Sequence, residues 1–439
     1  MDVLGAGSGA AAGAFGPLGT HARSRQHQRA EHDREEPPMT DRQEHIRKEA
    51  LRLARLAGAP RLNRRQFLGR AGALLGVAAV GPTLLAACGG DDDSSGGGDG
   101  GGGGGKSVAI SNWVDYMAPE SKQAFTKATG ISLDYKEDIN DNNEYFAKVR
   151  PNLSKDQSIG SDAFVLTDWM ANRMINEVKW VQPLDEAKFP NKVNLRPSLQ
   201  SPAFDPTRKY SAPWQSGITG IAYNLIETGQ EIKTIDDFLA VEGSTTVLSE
   251  MRDTVGLFML ATGADPTKAT YASAQPAFEK LAKAFDDGSI DGTNGNEYVN
   301  DLASGNLAAA MAWSGDVAQI ARDNPDVRFA VPEAGGMLWS DNFMIVYTSD
   351  KPDLASEFID FFYDPANAAV LTNYIQYIAP VDGVDAELVK MGGDAAKLVD
   401  DPLVVPTPEL LENVSIFGPL DENEEEQFDE RFAEITGSG

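Results

Sequence analysis

Beyond residue 88 the chain has neither cysteine nor histidine. Cys88 is the one cysteine among 439 residues, and His21, His27, His32 and His45 all lie upstream of it. No disulfide framework is therefore available to the downstream part. The missing imidazoles remove Ser-His-Asp and Cys-His nucleophile systems and nearly every usual zinc site. Carboxylates alone still support acid–base chemistry, so enzymes are disfavoured without being excluded.

Positive charge is scarce as well. Of 38 Lys+Arg and 66 Asp+Glu, the first 88 residues hold 13 and 8, so the remaining 351 residues carry a net charge of −33. Such a surface repels nucleic acid, whose phosphates need Lys and Arg to neutralise them. It suits export, solubility and the capture of cations. The length beyond Cys88 is enough for two ordinary domains.

The segment around Cys88 reads as an address. Asn63-Arg64-Arg65-Gln66-Phe67-Leu68 resembles the twin-arginine export motif, and Arg64 and Arg65 are its defining residues. A run of small and aliphatic residues follows over 71–87, short for a spanning helix and broken by glycines and Pro82. It ends in Leu85-Ala86-Ala87-Cys88, which resembles the lipobox of bacterial lipoproteins. That motif implies cleavage before Cys88 and lipid on its thiol. Residues 89–105 are Gly, Asp and Ser only, a flexible tether. Residues 1–62 read as an unstructured leader, and Met39 is an alternative start. Two glycine patterns are compositional accidents. The G-x-x-x-x-G-K-S match over 100–107 follows low complexity rather than a strand, and Gly5-x-Gly7-x-x-Ala10 has no room for one.

From Ser107 onward, short apolar runs alternate with amphipathic segments. Strands are expected over 108–113, 131–135, 163–166, 307–313 and 343–347. Helices are expected from Pro119 to Gly130, after Thr234 with its capping-box pattern, around Phe278 and Phe285 after Pro276, and from Pro352. The alternation predicts an α/β architecture.

All six tryptophans lie beyond Cys88, and four have an aspartate within three residues: Trp113 with Asp115, Trp169 with Asp168, Trp313 with Asp316, and Trp339 with Asp341. Several of these pairs fall just beyond strand-like runs, where α/β sheets bind ligands. An aromatic face attracts a cation by about 0.5–2 kcal/mol when desolvated. A carboxylate adds a charge-assisted hydrogen bond of about 1.5–3 kcal/mol. A single such pair is more often core plus turn residue than ligand site. Trp180 is read as packing and Trp214 as lining a hinge. Four pairs together point to a cation site, while composition alone leaves the ligand open.

At these same segments the chain resembles the spermidine/putrescine-binding receptors of ABC importers. Asn112-Trp113-Val114-Asp115-Tyr116 and Phe125 to Ile131 are similar to that family's first strand and helix. Tyr210-Ser211-Ala212-Pro213-Trp214 resembles its first crossing between lobes. The run from Tyr298 to Gly305 leading into Trp313-Ser314-Gly315-Asp316 is the longest match, on the putrescine branch; Trp339-Ser340-Asp341 is similar to the spermidine branch.

The resemblance implies a two-lobe, type II periplasmic-binding-protein-like fold with ligand in the interlobe cleft. Lobe 1 is expected over 106–217 and 342–385, and lobe 2 over 218–341 and 386–439. It further implies an aromatic wall of Trp113 and Tyr116 with Trp169 beside it, a hydroxyl contact from Thr167, and ammonium-binding carboxylates at Glu250, Asp253, Asp316 and Asp341. Trp313 and Trp339 would stack on methylenes, and Tyr377 would add an aromatic contact. The expected partners are a polyamine, the importer's permease subunits and the membrane through the lipid anchor, with no cofactor, metal or nucleic acid and with the chain acting as a monomer. Three alternatives stay open: a same-fold receptor for another cationic or amino-containing solute, a secreted carboxylate-dependent hydrolase, and a sensor lipoprotein. A carboxylate ligand would need an arginine, and Arg252 is the one near these segments.

Overall fold

The computed structural model describes residues 106–437. The leader, the twin-arginine segment with Arg64 and Arg65, Cys88 and the tether all lie outside the described residues.

Eleven strands make one mixed sheet: β1 (Ser107–Trp113), β2 (Ser132–Ile139), β3 (Ala163–Thr167), β4 (Val181–Gln182), β5 (Ser211–Asn224), β6 (Thr245–Leu248), β7 (Gly292–Asn294), β8 (Ala309–Trp313), β9 (Val327–Ala330), β10 (Gly336–Val346) and β11 (Val414–Ser415). The main order is β2-β1-β3-β10-β5-β8-β6-β7. At one end β1 pairs parallel with β2 and β3, and at the other β6 pairs parallel with β7 and β8. Between them the long strands β5 and β10 run antiparallel to each other and to their outer neighbours. Parallel strands need crossovers, which the helices Pro119–Thr129 and Met251–Ala261 help supply.

Local chemistry explains where these elements stop. Pro119 occupies the first turn of its helix, and Gly130 ends it at φ 73°, where a side chain would be strained. The Thr234–Asp237 capping box forms with both reciprocal bonds. One helix start differs from expectation: the helix around Phe278 starts at Tyr271, so Pro276 lies inside it rather than before it. Thr270 caps that start by accepting from the Ser273 amide.

Trp214, expected at a hinge, is a core residue. It is 1% exposed and stacks on Phe358, which also packs on Phe125 and Phe343. Trp180 packs as expected, stacked on Phe146. β10 is longer than expected, because its first half takes its order from pairing with β5 rather than from apolar composition. Where these two strands meet, Ser340 faces Ser216 but Asn342 faces Pro213, so Trp214 and Gln215 stand opposite the single residue Asp341. Proline lacks a backbone donor, and such a bulge is where an inner strand tolerates one.

Candidate functional site

The ends of β1, β3 and β8, the middle of β10 and the start of the helix Met251–Ala261 converge on one cavity. It holds about 770 Å³, its open mouth included. Every residue expected to contact ligand lines it: Trp113, Tyr116, Thr167, Trp169, Glu250, Asp253, Trp313, Asp316, Trp339, Asp341 and Tyr377. Asp115 does not; it sits in the turn after β1 at φ 55°.

The aromatic rings form a connected set. Trp313 meets Trp113 edge to face at 5.6 Å and Trp339 at 6.4 Å; Tyr377 meets Tyr116 at 5.1 Å and Trp339 at 5.6 Å. Indole N–H groups fix the tryptophans: Trp113 Nε1 donates to the Val165 carbonyl at 3.1 Å, Trp313 Nε1 to Asp253 Oδ2 at 3.1 Å, and Trp339 Nε1 to Thr219 Oγ1 at 3.1 Å. Two glycines make room for the rings. A Cβ on Gly217 would stand 2.4 Å from the Trp339 ring, and one on Gly315 would stand 2.4 Å from the Tyr377 ring.

Each carboxylate is held by neutral donors. Asp341 takes the Thr167 hydroxyl at 2.9 Å, and Thr167 Oγ1 in turn accepts from Asn142 Nδ2 at 2.9 Å. Asn142 gives its amide and its side chain to Glu250 Oε1 at 2.7 and 2.8 Å. Asp316 takes Tyr298 OH and Tyr377 OH, both at 2.7 Å. Asp253 takes the Thr219 hydroxyl at 2.7 Å besides the Trp313 indole. The Tyr116 hydroxyl lies close enough to Asp341 to feel its charge, yet no hydrogen bond of ordinary geometry joins them, and the hydroxyl is buried without a partner.

Neutral donors do not cancel charge. Burial pushes Asp341 up to about 7, against the pull of the Thr167 hydroxyl, and Asp253 and Asp316 up to about 6. Glu250 is raised well above the usual range, first by burial and then by Asp141. Asp168, which also lines the cavity, reaches about 6 by burial despite its bond from Asn342. Clustered, desolvated carboxylates of this kind are arranged to receive positive charge.

Arg252 is the one basic lining residue. Its guanidinium lies 3.8 Å over the Trp169 ring and gives Nη2 to Glu425 Oε1 at 2.9 Å. Arg173 Nη2 reaches the same oxygen at 2.6 Å. Trp169 therefore lines the cavity but spends a ring face on Arg252. Sequence reasoning missed the supporting residues Asn142, Thr219 and Tyr298, as well as Ile416 and Phe417 at the cavity's edge. Tyr298 lay within a recognisable motif, while nothing local distinguished the others.

A cavity flanked by two parallel-stranded sheet halves and lined by aromatic rings and acids describes a two-lobed receptor for a small solute. The chain belongs to the bacterial extracellular solute-binding protein family, whose pattern matches residues 120–404. It is a binding protein and not an enzyme. Among relatives, the putrescine-binding periplasmic protein PotF of Escherichia coli is 28% identical over 295 residues, covering 62% of this chain and 77% of that one. A spermidine/putrescine-binding periplasmic protein of Haemophilus influenzae is 24% identical over 310 residues, 70% of this chain and 82% of that one. The solved PotD of Streptococcus pneumoniae, a spermidine/putrescine ABC transporter substrate-binding protein, superimposes with TM-score 0.61 at 25% identity, covering 75% of this chain and 98% of that one.

Proposed function

We propose that this chain captures a polyamine outside the cell and delivers it to the permease of an ABC importer. The observation that carries this reading is the pairing of ring faces with buried carboxylates whose protein partners are neutral. A polyamine supplies what they lack, ammonium groups joined by methylene spans. In this reading Asp341, Asp316, Asp253 and Glu250 take ammonium groups, and Trp113, Trp313, Trp339, Tyr116 and Tyr377 pack the methylenes. Thr167 and Trp169 shape the pocket. The names of the relatives support the ligand class.

The lobes divide at 217/218, 341/342 and 385/386, the receptor acts as a monomer, the twin-arginine segment directs export, and lipid on Cys88 holds the chain at the membrane. Mass spectrometry of the native protein should find a lipidated N-terminal Cys88, and Cys88→Ala should release the receptor from membranes.

Calorimetry tests the ligand. Putrescine or spermidine should bind at micromolar Kd or better, about −8 kcal/mol. Failure to bind any di- or triamine, with tight binding of a sugar or anion instead, would refute the reading. A second reading, an amino-containing solute that also carries a carboxylate, rests on Arg252 lining the cavity. Its guanidinium is already paired with Glu425, which makes this the weaker of the two.

A further inference from the structure

β2 and β7 stand at opposite ends of the main strand order with six strands between them, yet the turns that follow them touch. Asn140 Oδ1 accepts from the Asn296 amide at 2.9 Å and from Asn296 Nδ2 at 3.0 Å, and Asn140 Nδ2 donates to Glu297 Oε1 at 3.3 Å. Asn296 Nδ2 also reaches the Ile139 carbonyl at 3.3 Å. Next in the chain, Asp141 Oδ2 accepts the Ser249 hydroxyl at 2.8 Å, and Asn142 holds Glu250 through its amide and side chain. Three consecutive residues after β2 thus bond to the turns after β6 and β7.

Every one of these bonds has a side chain at one end or both, so none extends the sheet. The fit is close: a Cβ on Gly295 would stand 2.4 Å from Asn140 Nδ2, so the Asn140 amide can lie there only against a glycine. The contact also has leverage. The parallel halves β2-β1-β3 and β8-β6-β7 are joined through β5 and β10, so flexing of those long strands would part β2 and β7 the farthest. Neither Asn140 nor Gly295 lines the cavity, but the contact is tied to it. Asn296 is a lining residue, and Asn142 Nδ2 donates to Thr167 Oγ1 as well as to Glu250, which leaves one hydroxyl between Asn142 and Asp341.

We infer that Asn140, Asp141 and Asn142 form a latch that clasps the turns after β6 and β7 when the cavity shuts, and that the latch sets how long a captured polyamine stays. This rests on the polyamine reading above. Asn140 is its positioning residue, because it acts on the ligand only by holding the two halves of the sheet together. Bonds made on closing are broken before the ligand can leave, so their loss falls on the dissociation rate. The carboxylates that meet an arriving ammonium group are untouched, so association is spared.

The test follows putrescine and spermidine by stopped-flow tryptophan fluorescence on the purified protein and on two variants outside the cavity. Asn140→Ala removes the amide, and Gly295→Ala wedges a methyl group against it. From each variant the bound amine should dissociate about tenfold faster, the equivalent of one or two net hydrogen bonds, with association altered less than about twofold. Small-angle scattering should show the wild type compacting when the amine is added and both variants compacting less. The unfolding midpoint of the unliganded variants should match the wild type. Unchanged dissociation in both variants, or faster dissociation together with a lowered unliganded midpoint, overturns the inference while the polyamine reading stands. Binding of neither amine by the wild type overturns that reading and the inference with it.

Discussion

Asp341 and Asn342 are neighbours on β10, yet they belong to two buried polar networks with different charge balance. Behind the sheet, Asn342 Oδ1 accepts from Arg208 Nη1 at 2.7 Å, and Arg208 also reaches Ser211 Oγ at 3.0 Å. Asp205, 4% exposed, takes three backbone amides and the Ser211 hydroxyl. Cation and carboxylates are both present, and the network is complete within the protein. In front, Asp341 and its fellow carboxylates face hydroxyl, amide and indole donors. A finished network holds a fold together; carboxylates whose hydrogen-bond partners are all neutral store a demand for charge that a ligand meets.

Substitutions separate the two. Arg208→Leu should give the largest effect, about 3–5 kcal/mol of lost stability, because it strands Asp205, Asp168 and Asn342 without their cation. Denaturant unfolding measures it. Asp341→Asn should do the reverse to the unliganded protein, holding or raising its stability by removing a buried uncompensated charge. It should weaken polyamine binding by about 2–4 kcal/mol. If both variants destabilised the fold alike, the two networks would be doing one job.

Acidity offers a second separation. Asp341 at about 7 and Asp253, Asp316 and Asp168 at about 6 stand above their unfolded value, which is 3.8. Between these limits the folded protein binds more protons than the unfolded chain, so unliganded stability should fall as pH rises from about 4 to about 7. Ammonium binding requires the ionised carboxylates, so affinity should run the other way. It should weaken by about tenfold to a hundredfold from pH 7.5 to pH 5.5 and level off above pH 7.5. Calorimetry across that range checks both slopes, and a flat affinity profile would remove the carboxylates from the ligand.

The smallest effects probe stacking. Trp339→Leu keeps apolar bulk, loses the ring face and should cost about 0.5–2 kcal/mol of binding with little dependence on salt. Asp115→Asn, in the turn outside the cavity, should cost less still.

Much of this was legible in the sequence because its signals are local. Pro119, Gly130 and the Thr234 capping box announce their own geometry, and three of the four Trp–Asp pairs mark strand ends, the fourth lying inside β10. The first half of β10 was not legible, since its order depends on β5. Asn142 and Tyr298 escaped notice because their partners, Glu250 and Asp316, lie 108 and 18 residues away. Arg252 was visible, but its direction is set by Glu425, 173 residues further along. Ile416 and Phe417 look like an ordinary loop until β11 docks beside Met337.

The extra residue in β5 opposite Asp341 acts as a change of phase. After it, odd-numbered residues turn toward the ligand cavity: Gly217 lies under Trp339 and Thr219 reaches Asp253. Before it, the odd-numbered Ser211 turns to the back and joins Arg208. Because strand side chains alternate with a period of two, deleting Gln215 would put one end of the strand out of step with the other. Either the Arg208 network would rotate into the cavity or Gly217 and Thr219 would rotate out of it. A single inserted residue thus lets one continuous strand serve two incompatible masters, and its removal should cost the receptor its ligand or its fold, with no intermediate outcome in which both survive.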